Sequence, residues 1–184
     1  MEGYICRCMI EKRILLTGGP GFGKSSIIEE LERKGNVVHH EIAREIIQYE
    51  IENQGESVPW INIDSFSQKV KLGRIMQFEN GKNLISYYDR GIPDIIGFLM
   101  KDKKEISGEL IELSNKYKYY SKIFITPPWE AIFQRDNERK EDFVAAIKVH
   151  KCLEKIYTEL GYELIAVPMG SIAWRAEFVL KNSV

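Results

Sequence analysis

The glycine-rich stretch near the start of the chain, RILLTGGPGFGKSSIIEEL at residues 13–31, places the strictest constraint on the fold. A short apolar run at residues 14–17 reads as a buried strand, and residues 24–34 read as the helix that follows. The residues between them match the pattern G-x-x-x-x-G-K-[ST] in full. A strand, a phosphate-binding loop and a helix are therefore predicted in that order.

Each part of this loop has a chemical purpose. The glycines allow consecutive backbone N–H groups to curl around a β-phosphate, and the helix N-terminus adds its dipole. Lys24 offers a positive charge to the β- and γ-phosphate oxygens, while the Ser25 hydroxyl can bind Mg²⁺. The residues predicted to bind the nucleotide here are Gly18, Gly19, Pro20, Gly21, Phe22, Gly23, Lys24, Ser25 and Ser26.

Phe22 stands at a position of the loop that is often held by a small residue. Only the backbone at this position needs to face the phosphates. We therefore expect the ring to point outward or toward the nucleotide base, or to be a partly exposed aromatic on the loop.

The sequence favours ATP over GTP. A guanine-specific protein would carry Asn-Lys-x-Asp after a late strand, and the nearest match, NKYK at residues 115–118, lacks the aspartate. That segment also does not follow a predicted strand. ATP with Mg²⁺ is the predicted pair of cofactors.

The rest of the chain repeats the alternation of strand and helix. Such alternation predicts an α/β fold with a parallel sheet that is covered by helices on both faces. Asp64 and Ser171 are predicted to cap the N-termini of two of the helices. The other strands are predicted at residues 37–40, in NLISYYDRG up to Asp89, in KIFITPPW and in YELIAVP. The other helices are predicted after residue 41, at residues 64–80, from Pro93, within 101–122, and at 129–137, 143–160 and 171–180.

Composition bounds the class of protein. With 184 residues, 44% of them hydrophobic, the chain suits one domain at residues 10–184, preceded by an N-terminal extension at residues 1–9. The 26 basic and 27 acidic residues nearly cancel, which argues against a nucleic-acid partner. No apolar run reaches the roughly 20 residues that span a bilayer. Three sparse cysteines favour a reducing cytoplasm.

Two acidic residues follow predicted strands. Glu41 comes after the second strand and Asp89 ends the third, and the carboxyl ends of parallel strands are where functional groups gather. A carboxylate there can hold Mg²⁺ or accept a proton from an attacking hydroxyl, and the sequence does not decide which acid is the base. Arg44 and Arg90 lie within reach, so Glu41, Arg44, Asp89 and Arg90 are the predicted substrate-binding residues. Alternatively, Glu41 only begins an amphipathic helix, and Asp89 with Arg90 only forms a turn.

Arg135 and Arg139 form the last candidate pair. They are four residues apart after the fourth strand, so on a helix both would face one way and could close over the transferring phosphoryl group. Acidic residues are interleaved with them, and a solvated charged surface is the alternative.

Together, these segments resemble a known family. The chain resembles the small P-loop ATPases that are grouped with nicotinamide-riboside-kinase-like proteins and are often labelled AAA-family ATPases. The segments that carry this resemblance are LTGGPGFGKSS, VVHHEIAREII, YYDRGIPD, ITPPWE, RDNERKEDF and LGYELIAVP.

This resemblance implies a three-layer P-loop kinase fold with a five-stranded parallel sheet in the order 2-3-1-4-5. It implies that Glu41 can act as a base, that Asp89 with Arg90 ends the third strand, and that Arg135 and Arg139 belong to a lid. The loop around Val167 and Pro168 would lie near the adenine. The chain is too short for the helical lid domain of the hexameric AAA+ machines.

The leading functional hypothesis is a cytoplasmic phosphotransferase. It would move the γ-phosphate of ATP to a small nucleoside-like or vitamin-precursor acceptor, with Lys24 and a metal on Ser25 and Asp89 holding the phosphates. Small kinases are often dimers, so a homodimer is one expected state, without nucleic-acid or membrane partners. The alternatives are an NTPase or nucleotide-gated switch, and a binding module without turnover.

Overall fold

The computed structural model describes residues 11–81, 85–133 and 142–183 of the chain. Within these residues, a five-stranded sheet has the order β2-β3-β1-β4-β5, and every neighbouring pair is parallel. The predicted strand order is therefore confirmed. The strands are β1 Lys12–Thr17, β2 Val38–His39, β3 Ile85–Asp89, β4 Lys122–Ile125 and β5 Glu163–Ala166.

Seven α-helices accompany the strands within the described residues, and the last of them follows β5. They are α1 Lys24–Arg33, α2 Ile42–Glu52, α3 Ile63–Asn80, α4 Ile92–Lys101, α5 Gly108–Lys116, α6 Phe143–Glu159 and α7 Ile172–Asn182. The described part of the helix predicted at residues 129–137 is a single 3₁₀ turn, Glu130–Ile132. None of the described helices has both the length and the apolar character needed to span a membrane. The N-terminal extension predicted at residues 1–9 lies outside the described residues.

The central strand shows why the sequence specifies this layering. Ile14, Leu15 and Leu16 are all fully buried, because alternate side chains of β1 enter the cores on opposite faces of the sheet. Leu15 contributes to the core of α4 and α6, while Ile14 and Leu16 contribute to the core of α1 and α7. A continuous apolar run is what a strand buried on both faces requires.

The register of β1 and β3 places the site. Leu16 is the partner of Asp89, and the backbone N–H of Arg90 donates to the carbonyl oxygen of Leu16 at 2.9 Å. The loop after Thr17 therefore lies next to Asp89 and Arg90 at the end of β3, at the carboxyl edge of the sheet.

The start of α3 differs from the prediction. Asn62, and not Asp64, is the N-cap, and its side-chain oxygen accepts a hydrogen bond from the backbone N–H of Ser65 at 3.0 Å. The expectation for Asp64 was wrong because the helix begins at Ile63, which leaves Asp64 in the first turn. Ser171 caps α7 as predicted, accepting from the backbone N–H of Trp174.

Replacing Asn62 by Ala should lower the free energy of unfolding by about 1 kcal/mol, because a backbone N–H of the first turn loses its partner. Urea denaturation followed by circular dichroism measures this. The matched control is Asp64→Asn, which removes only a charge near the helix N-terminus and should cost about 0.3–1 kcal/mol. A larger loss for Asp64→Asn than for Asn62→Ala would contradict the observed cap.

Candidate functional site

The phosphate loop joins β1 to α1 and depends on glycine, as two of its positions show. Gly18 and Gly23 have positive φ angles of 132° and 76°. A Cβ atom at Gly18 would lie 2.4 Å from the Thr126 hydroxyl oxygen, and one at Gly23 would lie 2.5 Å from a guanidinium nitrogen of Arg175. Neither the backbone conformation nor the space would accept another residue. The backbone of the loop therefore lies close to Thr126 and Arg175, and α1 begins directly after Gly23.

Lys24, the first residue of α1, is buried at the base of this loop. Its ammonium group donates to the carbonyl oxygen of Gly19 at 2.8 Å. Burial, and secondly the nearby charge of Arg90, lower the pKa of Lys24 to about 7, although Asp89 and Glu41 act in the opposite direction. The positive charge of Lys24 is therefore sensitive to any anion that arrives beside it.

Asp89 meets the phosphate loop through Ser25. The Ser25 hydroxyl donates to Asp89 Oδ2 at 3.0 Å, while the buried Oδ1 has no hydrogen-bond partner among the described residues. Burial and then the charge of Glu41 raise the pKa of Asp89. An unpartnered carboxylate oxygen next to a serine hydroxyl is a set of hard oxygen donors, which fits Mg²⁺.

Arg90 joins three parts of the chain. Its guanidinium donates to Glu41, to the carbonyl oxygen of Gly18 at 2.9 Å and to Asp94 Oδ1 at 3.0 Å. The exposed fraction of this residue is 3%, and its backbone is left-handed, with φ at 71°. Arg90 therefore ties the end of β2, the phosphate loop and α4 together.

Asp94 was missed by the sequence analysis, yet it completes this network. Besides Arg90, its carboxylate accepts hydrogen bonds from the Thr17 hydroxyl at 2.7 Å, the Gly91 backbone N–H at 2.8 Å and the Tyr157 hydroxyl at 2.6 Å. The available signal was its place three residues after the N-cap of α4, where an acid can close a capping box.

Glu41 lies at the N-cap of α2 and faces the same space. Burial alone would raise its pKa, but the positive charges of Arg90, Lys24, Arg74 and Arg44 outweigh burial and lower the pKa of Glu41 to about 2. Glu41 is therefore a carboxylate at any physiological pH. It can accept a hydrogen bond from a hydroxyl group, and it has little affinity for a proton of its own.

A cavity of about 1050 Å³ runs from the phosphate loop past Glu41 and Arg90. Beyond these charges, it opens between α2, α3 and α4. The side chains that form this far wall are largely apolar; they include Ile47, Trp60, Ile63, Phe66, Val70 and Phe98. The volume lies just above the range of roughly 300–1,000 Å³ that small-molecule sites occupy.

The cavity gathers many of the residues that the sequence predicted. Those that line it are Pro20, Gly21, Gly23, Lys24, Ser25, Ser26, Glu41, Arg44 and Arg90. Asp89 is not among the lining residues and reaches the site through Ser25. Val167 is fully buried in the core, and the loop after β5 contributes Gly170 to the cavity instead of Val167 or Pro168. Arg135 and Arg139 lie outside the described residues.

Comparison with known proteins places this arrangement in a family. The sequence model of the AAA domain matches residues 13–175. The chain belongs to the AAA domain family. A search of curated proteins returned no match.

Several solved structures share the fold of this AAA domain. Deoxyadenosine kinase from M. mycoides with dCMP and dCDP has a TM-score of 0.65 at 17% identity, covering 94% of this chain and 100% of its own. The NadR protein in complex with NR has a TM-score of 0.67 at 14% identity, covering 95% of this chain and 52% of its own. Shikimate kinase from Acinetobacter baumannii with shikimate has a TM-score of 0.59 at 15% identity, covering 93% and 92%.

Phe22 of this AAA domain departs from the expectation. Its ring is fully buried, with centroids 5.9 Å from those of Phe143 and His150 and 6.5 Å from that of Phe133. It points neither outward nor into the cavity, because the N-terminal half of α6 supplies an apolar pocket beneath the loop. The ring of Phe22 is therefore not available to a ligand.

Arg74, Trp129 and Arg175 line the cavity and were not predicted as site residues. Arg175 donates to the carbonyl oxygen of Phe22 at 3.1 Å, and its guanidinium lies 5.4 Å from the centroid of the Trp129 ring. Arg74 follows the buried Val70 by four residues, so an arginine on the buried face of α3 was the signal available in the sequence.

Replacing Phe22 by Ala should lower the free energy of unfolding by about 3–5 kcal/mol, because a large buried ring leaves a cavity. Chemical denaturation measures the loss. The control is Met76→Ala on α3, where the side chain is 61% exposed and the change should be within about 0.5 kcal/mol. If Phe22→Ala left the free energy of unfolding unchanged, the ring would have to be exposed, which would contradict the structure.

Proposed function

We propose that this AAA domain is an ATP-dependent kinase that phosphorylates a hydroxyl group of a small metabolite. The observation that carries the proposal is the continuation of the cavity beyond Glu41 and Arg90. A nucleotide needs only the loop side of this cavity. The space between α2, α3 and α4 can hold a second molecule opposite the γ-phosphate, which hydrolysis alone would not require.

The nucleotide would bind along the phosphate loop. Backbone N–H groups at residues 19 and 21–25 and the Lys24 ammonium would meet the phosphates, as this motif does in other P-loop proteins. Trp129 lines the cavity beside the loop and offers a flat surface on which an adenine ring can stack. Val167 and Pro168 stay a prediction for the same end of the site.

Ser25 and Asp89 would hold Mg²⁺. The Ser25 hydroxyl provides one ligand, and the unpartnered Oδ1 of Asp89 provides a second donor, directly or through water. When bound, the ion would neutralise charge on the β- and γ-phosphates.

Glu41 would orient the acceptor. Its carboxylate accepts the hydrogen bond of the acceptor hydroxyl, whose oxygen attacks the γ-phosphorus while the bond to the bridging β,γ-oxygen breaks. ADP leaves with the electron pair of that bond, and the hydroxyl proton passes to Glu41 and then to water. A weakly basic carboxylate suffices because the transition state is loose and the proton moves late. Arg135 and Arg139 stay candidates for closing over the phosphoryl group.

The class of acceptor is inferred from the side chains that line the cavity between α2, α3 and α4. Trp60, Phe66 and Phe98 offer aromatic surface, while Glu41, Arg44 and Arg90 offer charge and hydrogen bonds at its inner end. This pattern suits a ring-containing polyol, such as a nucleoside-like or vitamin-precursor metabolite. The cytoplasm is where ATP and such acceptors occur together.

Replacing Glu41 by Gln should lower kcat for transfer by roughly 100- to 10,000-fold, because the hydroxyl loses its charged acceptor. The measurement is ADP release with a panel of nucleosides, nucleotides and hydroxylated acids, alongside the Kd for ATP, which should change little. Glu45→Gln is the matched control, since Glu45 is exposed on the same helix and does not line the cavity.

ATP hydrolysis that is independent of every acceptor, with Glu41→Gln affecting only that hydrolysis, would overturn the kinase proposal in favour of an NTPase. The absence of any turnover in the unmodified protein, with ATP still bound, would favour a binding module.

ATP binding should take up a proton at about pH 8. With the pKa of Lys24 at about 7 in the free protein, its side chain is largely a neutral amine at that pH, and a bound phosphate restores the charged ammonium. Calorimetry in buffers of different ionisation enthalpy measures the uptake. Lys24→Arg should abolish it, since a guanidinium does not titrate; uptake that persists in this variant would assign the proton to another group.

A further inference from the structure

Arg74 on α3 is a buried cation that makes no direct ion pair with any of the described residues. Its exposed fraction is 2%, and its Nε atom has no hydrogen-bond partner among the described residues. The hydrogen bond that it does make is long, from Nη1 to the backbone carbonyl oxygen of Asp89 at 3.4 Å. A buried guanidinium in this condition is costly unless another group supplies the missing negative charge.

The carboxylates nearby are already engaged with other partners. Glu41 and Asp94 both accept hydrogen bonds from Arg90, and Asp89 accepts the hydroxyl of Ser25. Within the described part of the chain, no ion pair joins Arg74 to an acidic residue. Arg90 therefore takes the hydrogen bonds of two carboxylates, while Arg74 has no direct ion pair among the described residues.

Arg74 also faces the compartment in which the acceptor would bind. It lines the cavity, and its charge is close enough to Glu41 to depress the pKa of that carboxyl. Its neighbours along the same wall are apolar, among them Val70, Ile95 and Phe66. Apolar surroundings strengthen the attraction between a guanidinium and an anion.

We propose that the acceptor carries an anionic group, a carboxylate or a phosphate monoester, which pairs with Arg74 while its hydroxyl meets Glu41. The planar guanidinium fork matches both groups, and a neutral carbonyl would leave its charge unbalanced. This inference rests on the proposed kinase function. It places anionic hydroxyl compounds above neutral nucleosides, and it disfavours acceptors with a cationic ring.

The experiment compares matched acceptors with the full-length protein. ADP release is measured with nucleosides and their monophosphates, and with hydroxylated carboxylates and the corresponding methyl esters or amides. The expected result is a higher kcat/KM for the charged member of at least one pair. The nucleotide and carboxylate arms distinguish the two sources of the anion.

Arg74→Gln should then lower kcat/KM for the charged acceptor by roughly 10- to 100-fold, as expected for a lost hydrogen bond to a charged group, with little change for the neutral partner. Arg74→Lys should restore part of the selectivity. The control is Lys71→Gln, which removes a cation from the same helix at a position outside this cavity, where Lys71 pairs with Glu109.

The ratio of kcat/KM for the charged acceptor to that for the neutral acceptor distinguishes a role in recognition from a role in folding. A purely structural role for Arg74 would reduce turnover of both members equally and would overturn the inference. Phosphorylation of neutral acceptors alone would also overturn it, while the kinase function would stand. No transfer to any acceptor, with ATP still bound, would reject the kinase function itself.

Discussion

The buried guanidinium of Arg90 is the contact on which the rest of the site depends. It holds Glu41, Asp94 and the carbonyl oxygen of Gly18, which belong to three segments far apart in the sequence. A left-handed backbone at a residue other than glycine costs about 1–3 kcal/mol, and the three partners offset that cost. Tyr157 extends the network to α6 through Asp94, so the helical layer that contains α4 and α6 helps to fix the position of Glu41.

The features that sequence reasoning predicted are those with local causes. The phosphate loop follows from its glycines and from Lys24 and Ser25, all within one short segment. The position of Glu41 and Asp89 at strand ends follows from the rule that parallel strands present their carboxyl ends at one edge. The resemblance to a known family supplied the strand order, which the structure confirms.

The features that were missed depend on partners distant in the chain. Phe22 is buried because Phe133 and Phe143 lie beneath the loop, and nothing within the loop itself indicates them. Asp94 and Arg74 have only weak local signals in the sequence, and the packing of α3 and α4 against the sheet turns them inward. The prediction for the N-cap of α3 was wrong for a simpler reason: the helix begins two residues earlier than the sequence pattern indicates, and helix boundaries commonly differ by that much.

The bond between Lys24 and the carbonyl oxygen of Gly19 has a consequence for selectivity. The loop satisfies its own lysine, so an incoming anion must displace an internal hydrogen bond and draw a proton onto a buried amine. A single small charge, such as chloride, gains too little from the loop to do both. A polyphosphate gains enough, because several oxygens engage the backbone at once. Under the proposed function, the loop would therefore favour ligands that carry several charges over ligands that carry one.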